Sequence, residues 1–298
     1  MTEVVGCYQT LICSEAVSTD PRIPPLLQRL VDDAAVFPPG NAPLPDALRA
    51  HVRHRAAWYA DLIGPLLLPA SALAGLTAPL PRIGVVGDTG LAAVGDVFAA
   101  AAAATPPWAQ LEIAVAKRGE DPQPGLRTLL AEAGVGPPLT IYAELPLTWG
   151  LLGALDTLAR EREAGARVAP KFRTGGLAAE LFPTPVELAA VICACRDRNL
   201  PYKLTAGLHR GVRYTDPETG FTHHGFLNVL AADLLAADGV EVADVAEVLA
   251  ATDPRPVLAV VEAALGQERP LWIGYGSCSV DEPVTELVSY SLIEEGPA

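Results

Sequence analysis

The chain has 298 residues, half of them apolar and 19% charged, with a formal net charge of −14. This composition describes a soluble globular protein with enough apolar residues for a substantial core, and it excludes a disordered chain. The negative charge argues against nucleic acid and anionic membrane surfaces as partners, while a local cluster of arginine and lysine still allows a small anionic substrate.

The first 21 residues, beginning "MTEVVGCYQT", form an ill-defined lead-in with no basic region followed by an apolar run, so no signal peptide is expected. From Ile23 to Leu62 the pattern is helical and is broken by the loop "FPPGNAPLP". Asp32 and Asp33 brace that loop. Asp46 opens a helix on which His51 and His54 are expected to face solvent.

A rhythm of short apolar runs and longer helical runs follows. The expected strands are 64–70, 82–88, 111–117, 139–145, 167–173, 201–207, 225–230 and 271–277. The helix between the first two, "SALAGLTAPL", is short. Strand–helix alternation points to parallel β/α units, and eight strands predict a (β/α)8 TIM barrel. It would occupy residues 61–298 as the catalytic domain, after an N-terminal helical extension over residues 1–60. An open doubly wound sheet is the alternative.

Five cysteines, Cys7, Cys13, Cys193, Cys195 and Cys278, match no zinc ribbon or CxxC motif, which predicts a reduced, cytoplasmic protein. Cys193 and Cys195 sit on a helical run and point apart. No apolar run reaches the length of a membrane span. Arginine outnumbers lysine heavily, and with abundant alanine, glycine and proline this suggests a GC-rich bacterial coding sequence. Self-association into a homo-oligomer is compatible with all of this.

Barrels of this type carry their chemistry at the C-terminal ends of the strands. There the sequence places Glu144, Lys171, Arg173, Lys203 and Thr205. His209, Arg210, His224, Asn228, Ser277 and Cys278 lie in or beside the later loops. Alternation puts Lys171 and Arg173 on one face of their strand, with Phe172 on the other. Lys203 and Thr205 share a face, as do Tyr142 and Glu144.

Only Lys117, Lys171 and Lys203 are lysines. Unlike arginine, lysine can give up its proton when desolvated or beside another cation, and a neutral amine is what Schiff-base chemistry needs. Lys171 is therefore a candidate nucleophile, with Lys203 lowering its proton affinity and Glu144 moving protons. The Arg173 fork suits a substrate carboxylate or phosphate.

The segments "KFRTGG" (Lys171) and "KLTAG" (Lys203), separated by one helix, resemble the class I aldolases of the deoxyribose-phosphate aldolase type. The likeness spans about residues 139–210. It implies a Schiff-base lysine at Lys171, a perturbing lysine at Lys203 and an acidic relay at Glu144. In this strand count the two lysines fall on strands five and six, where that family has them on six and seven. "DDAAVFPPGNAPL", "KFRTGG", "AGLHR", "HGFLNV" and "GSCS" together also resemble a bacterial barrel family.

The leading expectation is a cofactor-independent lyase acting on a small anionic carbonyl compound. His209, Arg210, His224, Asn228, Thr205, Ser277 and Cys278 would contact substrate. One alternative is a metal-dependent lyase, isomerase or hydrolase using His209 and His224, although no spacing matches a metal motif. Another is a non-catalytic protein that binds a small anion. "TGG" after Arg173 reads as a tight turn before it reads as a phosphate cradle.

Overall fold

The computed structural model describes residues 22–73, 80–134, 136, 137 and 139–297. The lead-in with Cys7 and Cys13, and most of the short helix expected at 71–80, lie outside the described residues. Among the described residues there are ten strands: β1 Val31–Asp33, β2 Ile63–Pro69, β3 Gly84–Gly87, β4 Gln110–Ala114, β5 Thr140–Glu144, β6 Val168–Arg173, β7 Tyr202–Thr205, β8 Tyr214–Thr215, β9 Thr222–His223 and β10 Trp272–Ser277. Eight of them close into a parallel barrel in the order β1-β10-β7-β6-β5-β4-β3-β2, and β8 and β9 form a separate antiparallel ribbon. The fold is a (β/α)8 barrel.

Each barrel strand turns apolar side chains outward against the helices. Leu111 and Ile113, Ile141 and Ala143, Phe172, and Tyr202 and Leu204 are all buried in this layer. The helices start where local chemistry directs them. Asp121 and Asp253 accept backbone N–H bonds at the heads of helices Pro122–Ala133 and Pro254–Ala264. Thr184 and Glu187 form a reciprocal capping box at the head of Pro185–Arg196. All three helices carry proline in their first turn, where its missing N–H costs no hydrogen bond.

Two strand assignments differ from expectation. The run at 225–230 is the start of helix Phe226–Ala237. Phe226 to Leu230 are all buried, and a short run apolar on every side does not distinguish a core strand from a buried helix. The first strand lies in the segment whose sequence pattern predicts a helical extension. Val31–Asp33 pairs with both β2 and β10, so the barrel begins well before residue 61. With β1 counted, Lys171 and Lys203 stand on the sixth and seventh strands of the barrel.

The two acids of β1 explain why it was missed. Asp32 points into the barrel and Asp33 out of it, where His51 Nδ1 lies 3.1 Å from Asp33 Oδ2. His51 is buried and not solvated as expected, because helix Leu44–Ala56 packs its ring against that carboxylate. Among the described residues no helix is long and apolar enough to cross a membrane.

Candidate active site

Four neighbouring strands, β4 to β7, put their polar side chains inside the barrel. Gln110 and Glu112 come from β4, Tyr142 and Glu144 from β5, Lys171 and Arg173 from β6, and Lys203 and Thr205 from β7. Register aligns them: Glu112 pairs with Tyr142, Glu144 with Lys171, and Lys171 with Lys203. From the far side of the barrel, β1 contributes Asp32.

These groups form one continuous chain of alternating charge. Lys203 Nζ contacts Asp32 Oδ2 and lies 2.5 Å from Glu112 Oε1. Lys171 Nζ lies 2.8 Å from both Glu112 Oε2 and Glu144 Oε2. Arg173 Nη2 closes the chain 3.1 Å from Glu144 Oε1. Gln110 Nε2 donates to Asp32 Oδ2 at 2.7 Å and to Glu112 Oε1 at 2.9 Å. The Tyr142 ring covers Lys203 Nζ at 4.9 Å. Three carboxylates thus meet three cations, and the site is neutral as a whole.

Glu112 is the pivot. It is buried and touches both lysines, Lys203 through Oε1 and Lys171 through Oε2. Burial pushes its carboxyl up, but Lys171 and Lys203 outweigh burial and hold it down at about 2. Glu144 is likewise held below the usual carboxylate range, because Lys171 and Arg173 outweigh its burial. Burial lowers Lys171, yet Glu112 and Glu144 raise it further, so the net shift is upward. Lys203 is raised in the same way by Asp32 and Glu112. Asp32 is pulled both ways, and there burial exceeds the attraction of Lys203.

This corrects the expected role of Lys203. It does not depress Lys171 at rest, because Glu112 stands between the amines and neutralises both. Both lysines rest as ammonium ions.

The other expected substrate ligands divide by location. Arg173 reaches the barrel mouth, and Thr205 ends β7 inside the barrel. His209 and Cys278 form a separate pair on the rim: Cys278 Sγ is 3.9 Å and Glu282 Oε2 2.9 Å from His209 Nδ1. These two partners raise the imidazole to about 10. Arg210 stacks on the Tyr214 ring, its guanidinium carbon 4.5 Å from the ring centroid.

Three assignments are overturned by their hydrogen bonds. His224 is fully buried, with Nε2 2.8 Å from Pro183 O and Nδ1 3.2 Å from Arg213 Nη1. Burial lowers it to about 4, so it is a neutral ring that ties two loops together. Asn228 lies on a helix and not beside a strand. Its amide uses both N–H donors on Val248 O and Ala251 O and accepts from Arg213 N, and the side chain is fully buried away from a substrate. Ser277 is buried and donates to Ser279 O. Among the described residues no three His, Cys, Asp or Glu side chains converge as a metal-ligand set.

Two cavities meet the charge chain from opposite ends. One of about 350 Å³ opens at the C-terminal ends of the strands, with Glu144 and Arg173 in its floor. Another of about 400 Å³ lies at the N-terminal end and reaches Asp32, Gln110 and Lys203. The C-terminal cavity is the candidate substrate site, because there the loops are free to differ without disturbing the barrel.

The "TGG" segment serves packing. A Cβ on Gly175 would stand 2.8 Å from Gly207 Cα, so the two strand-end loops touch through bare backbone. Thr174 N donates to Thr205 O, and Thr174 Oγ1 to Ala206 O.

No protein-family model matches the chain, and no curated protein matches it.

Proposed function

We propose that this barrel is a lyase of the aldolase type that forms a Schiff base between Lys171 and a carbonyl substrate. The observation that carries this reading is Lys171 itself: a buried amine inside the barrel, held between Glu112 and a Glu144 that lines the C-terminal cavity, and one strand from a second lysine. Stability alone accounts poorly for such a chain. Desolvating a charged group costs several kcal/mol, and a packed apolar core is often as stable as a buried ion pair. The placement of the lysines on the sixth and seventh strands agrees with the order in class I aldolases of the deoxyribose-phosphate aldolase type.

A paired ammonium can still supply a neutral amine. Moving a proton from Lys171 Nζ to Glu144 Oε2 removes two charges and creates none. Burial already disfavours both charged forms, so expelling water from the cavity shifts this exchange towards the neutral pair. The free amine then attacks the carbonyl carbon, a C–N bond forms, and Glu144 returns its proton to the departing hydroxyl as water leaves. In the iminium the α-hydrogen is acidic, and Glu112 or Glu144 is placed to accept it, which gives an enamine. The reverse of this sequence protonates the enamine carbon.

A non-catalytic binding protein is the second reading, favoured by the complete pairing of both amines at rest. The two readings differ in one simple assay. Incubating the protein with ketones and aldehydes in D2O should exchange their α-hydrogens for deuterium, as followed by proton NMR. Absence of exchange across a broad set of carbonyl compounds would favour the binding protein.

A further inference from the structure

We infer that the substrate is an uncharged carbonyl compound with an aryl or branched alkyl tail, and not a phosphorylated or strongly anionic one. This rests on the Schiff-base reading of Lys171 and narrows it. One side of the C-terminal cavity is an apolar wall formed by Pro146, Leu147, Leu181, Phe182 and Pro183, set against five charged side chains. At about 350 Å³ the cavity falls within the usual range for small-molecule sites.

The charges of the cavity do not suit an anion. Arg118 and Arg173 face Glu144, Glu180 and Glu187, an excess of one negative charge. Arg173 already holds Glu144 through Nε at 3.2 Å and Nη2 at 3.1 Å. A phosphate would bring about two further negative charges into this setting.

Two backbone sites beside the cavity are also taken. The N-terminus of helix Pro185–Arg196, whose Glu187 lines the cavity, is occupied by that carboxylate, which accepts from Thr184 N at 2.7 Å. In the turn after β6, Thr174 N is bonded to Thr205 O and Gly175 is pressed against Gly207. An apolar tail meets none of these obstacles. By displacing water it also favours the neutral Lys171–Glu144 pair from which imine formation starts.

The test is reductive trapping with sodium cyanoborohydride, using 3-phenylpropanal, glyceraldehyde and glyceraldehyde 3-phosphate in parallel. Labelling is mapped by mass spectrometry, with exposed Lys117 as the reference for non-specific imine formation. The expected result is half-labelling of Lys171 by 3-phenylpropanal at a concentration about tenfold or more below that needed for the phosphate, as apolar pockets discriminate on that scale. Leu147→Asn or Leu181→Asn should remove that preference.

Equal or better labelling by glyceraldehyde 3-phosphate would overturn the inference and leave the Schiff base intact. If no aldehyde labels Lys171, the Schiff base fails. The substrate class is then read from 3-phenylpropan-1-ol and glycerol 3-phosphate, which form no imine, by calorimetric titration. Binding of the phenyl alcohol, weakened about tenfold or more in Leu181→Asn, would support the apolar class. No binding of that alcohol, or tighter binding of the phosphate, would overturn it.

Discussion

Lys171→Arg should abolish carbonyl chemistry while keeping the positive charge between Glu112 and Glu144. A guanidinium stays protonated and forms no stable imine, so α-deuterium exchange should fall by about 10³-fold or more, on the scale seen when a nucleophile is removed. Ligand binding provides the contrast. A protein that only binds through its charge would keep its affinity with arginine at 171, because the ion pairs 2.8 Å from Glu112 and Glu144 are of a kind guanidinium also makes. Circular dichroism and a thermal melt would show that the barrel remains folded. Loss of exchange with retained binding assigns chemistry to the amine; retained exchange removes Lys171 from the mechanism.

The second large effect belongs to Glu112. Glu112→Gln leaves two buried ammonium ions with one carboxylate fewer, and breaking a buried pair in this way costs about 3–5 kcal/mol. Urea unfolding should show the loss. The pH dependence has a definite sign. The folded carboxyl sits at about 2, below its ordinary value of 4.5, so its stabilisation is complete above about pH 4.5. It is lost as pH falls from there through 2, because the unfolded chain binds the proton more readily. A shift from 4.5 to about 2 corresponds to about 3 kcal/mol. The urea midpoint of the native protein should therefore fall more steeply between pH 4.5 and 2.5 than that of Glu112→Gln. Parallel slopes would mean that the two lysines do not hold Glu112 ionised.

The same residues show how much of the site could be read in advance. Strands β5 to β7 were legible because each alternates cleanly. Glu144, Lys171, Arg173 and Lys203 share the inner face, while Phe172 and Leu204 turn to the helices. Glu112 escaped because it lies in "LEIAVAK", where one acid among apolar residues looks like the solvated side of an ordinary strand. Its partner at spacing two, Gln110, was the available signal that this face is polar and enclosed. Asp32 could not be assigned from local pattern. β1 has only three residues, and what makes it a strand is closure of the barrel between β2 and β10, a contact between the two ends of the chain. The converse failure at 225–230 has the same origin. Helix Phe226–Ala237 is buried on nearly every side by its neighbours, so it lacks the polar stripe by which a surface helix is recognised.

The histidines show a different limit. His51, His224 and the His209–Cys278 pair are fixed by partners 11 to 73 residues away, and nothing in the local sequence marks those partners. His209 and His224, close together in the sequence, read as one possible site. In the folded chain His224 is a neutral tie between loops, and His209 answers to Glu282.

The most direct test is identification of the lysine that becomes covalently modified. The protein is reduced with sodium borohydride in the presence of a carbonyl compound that it deuterates, digested, and sequenced by mass spectrometry. The expected result is one reduced adduct on Lys171, absent from Lys171→Arg, with Lys203 unmodified because it lines the cavity at the N-terminal end of the barrel. An adduct on Lys203, or none on either lysine while exchange proceeds, would contradict the assignment of Lys171 as the nucleophile.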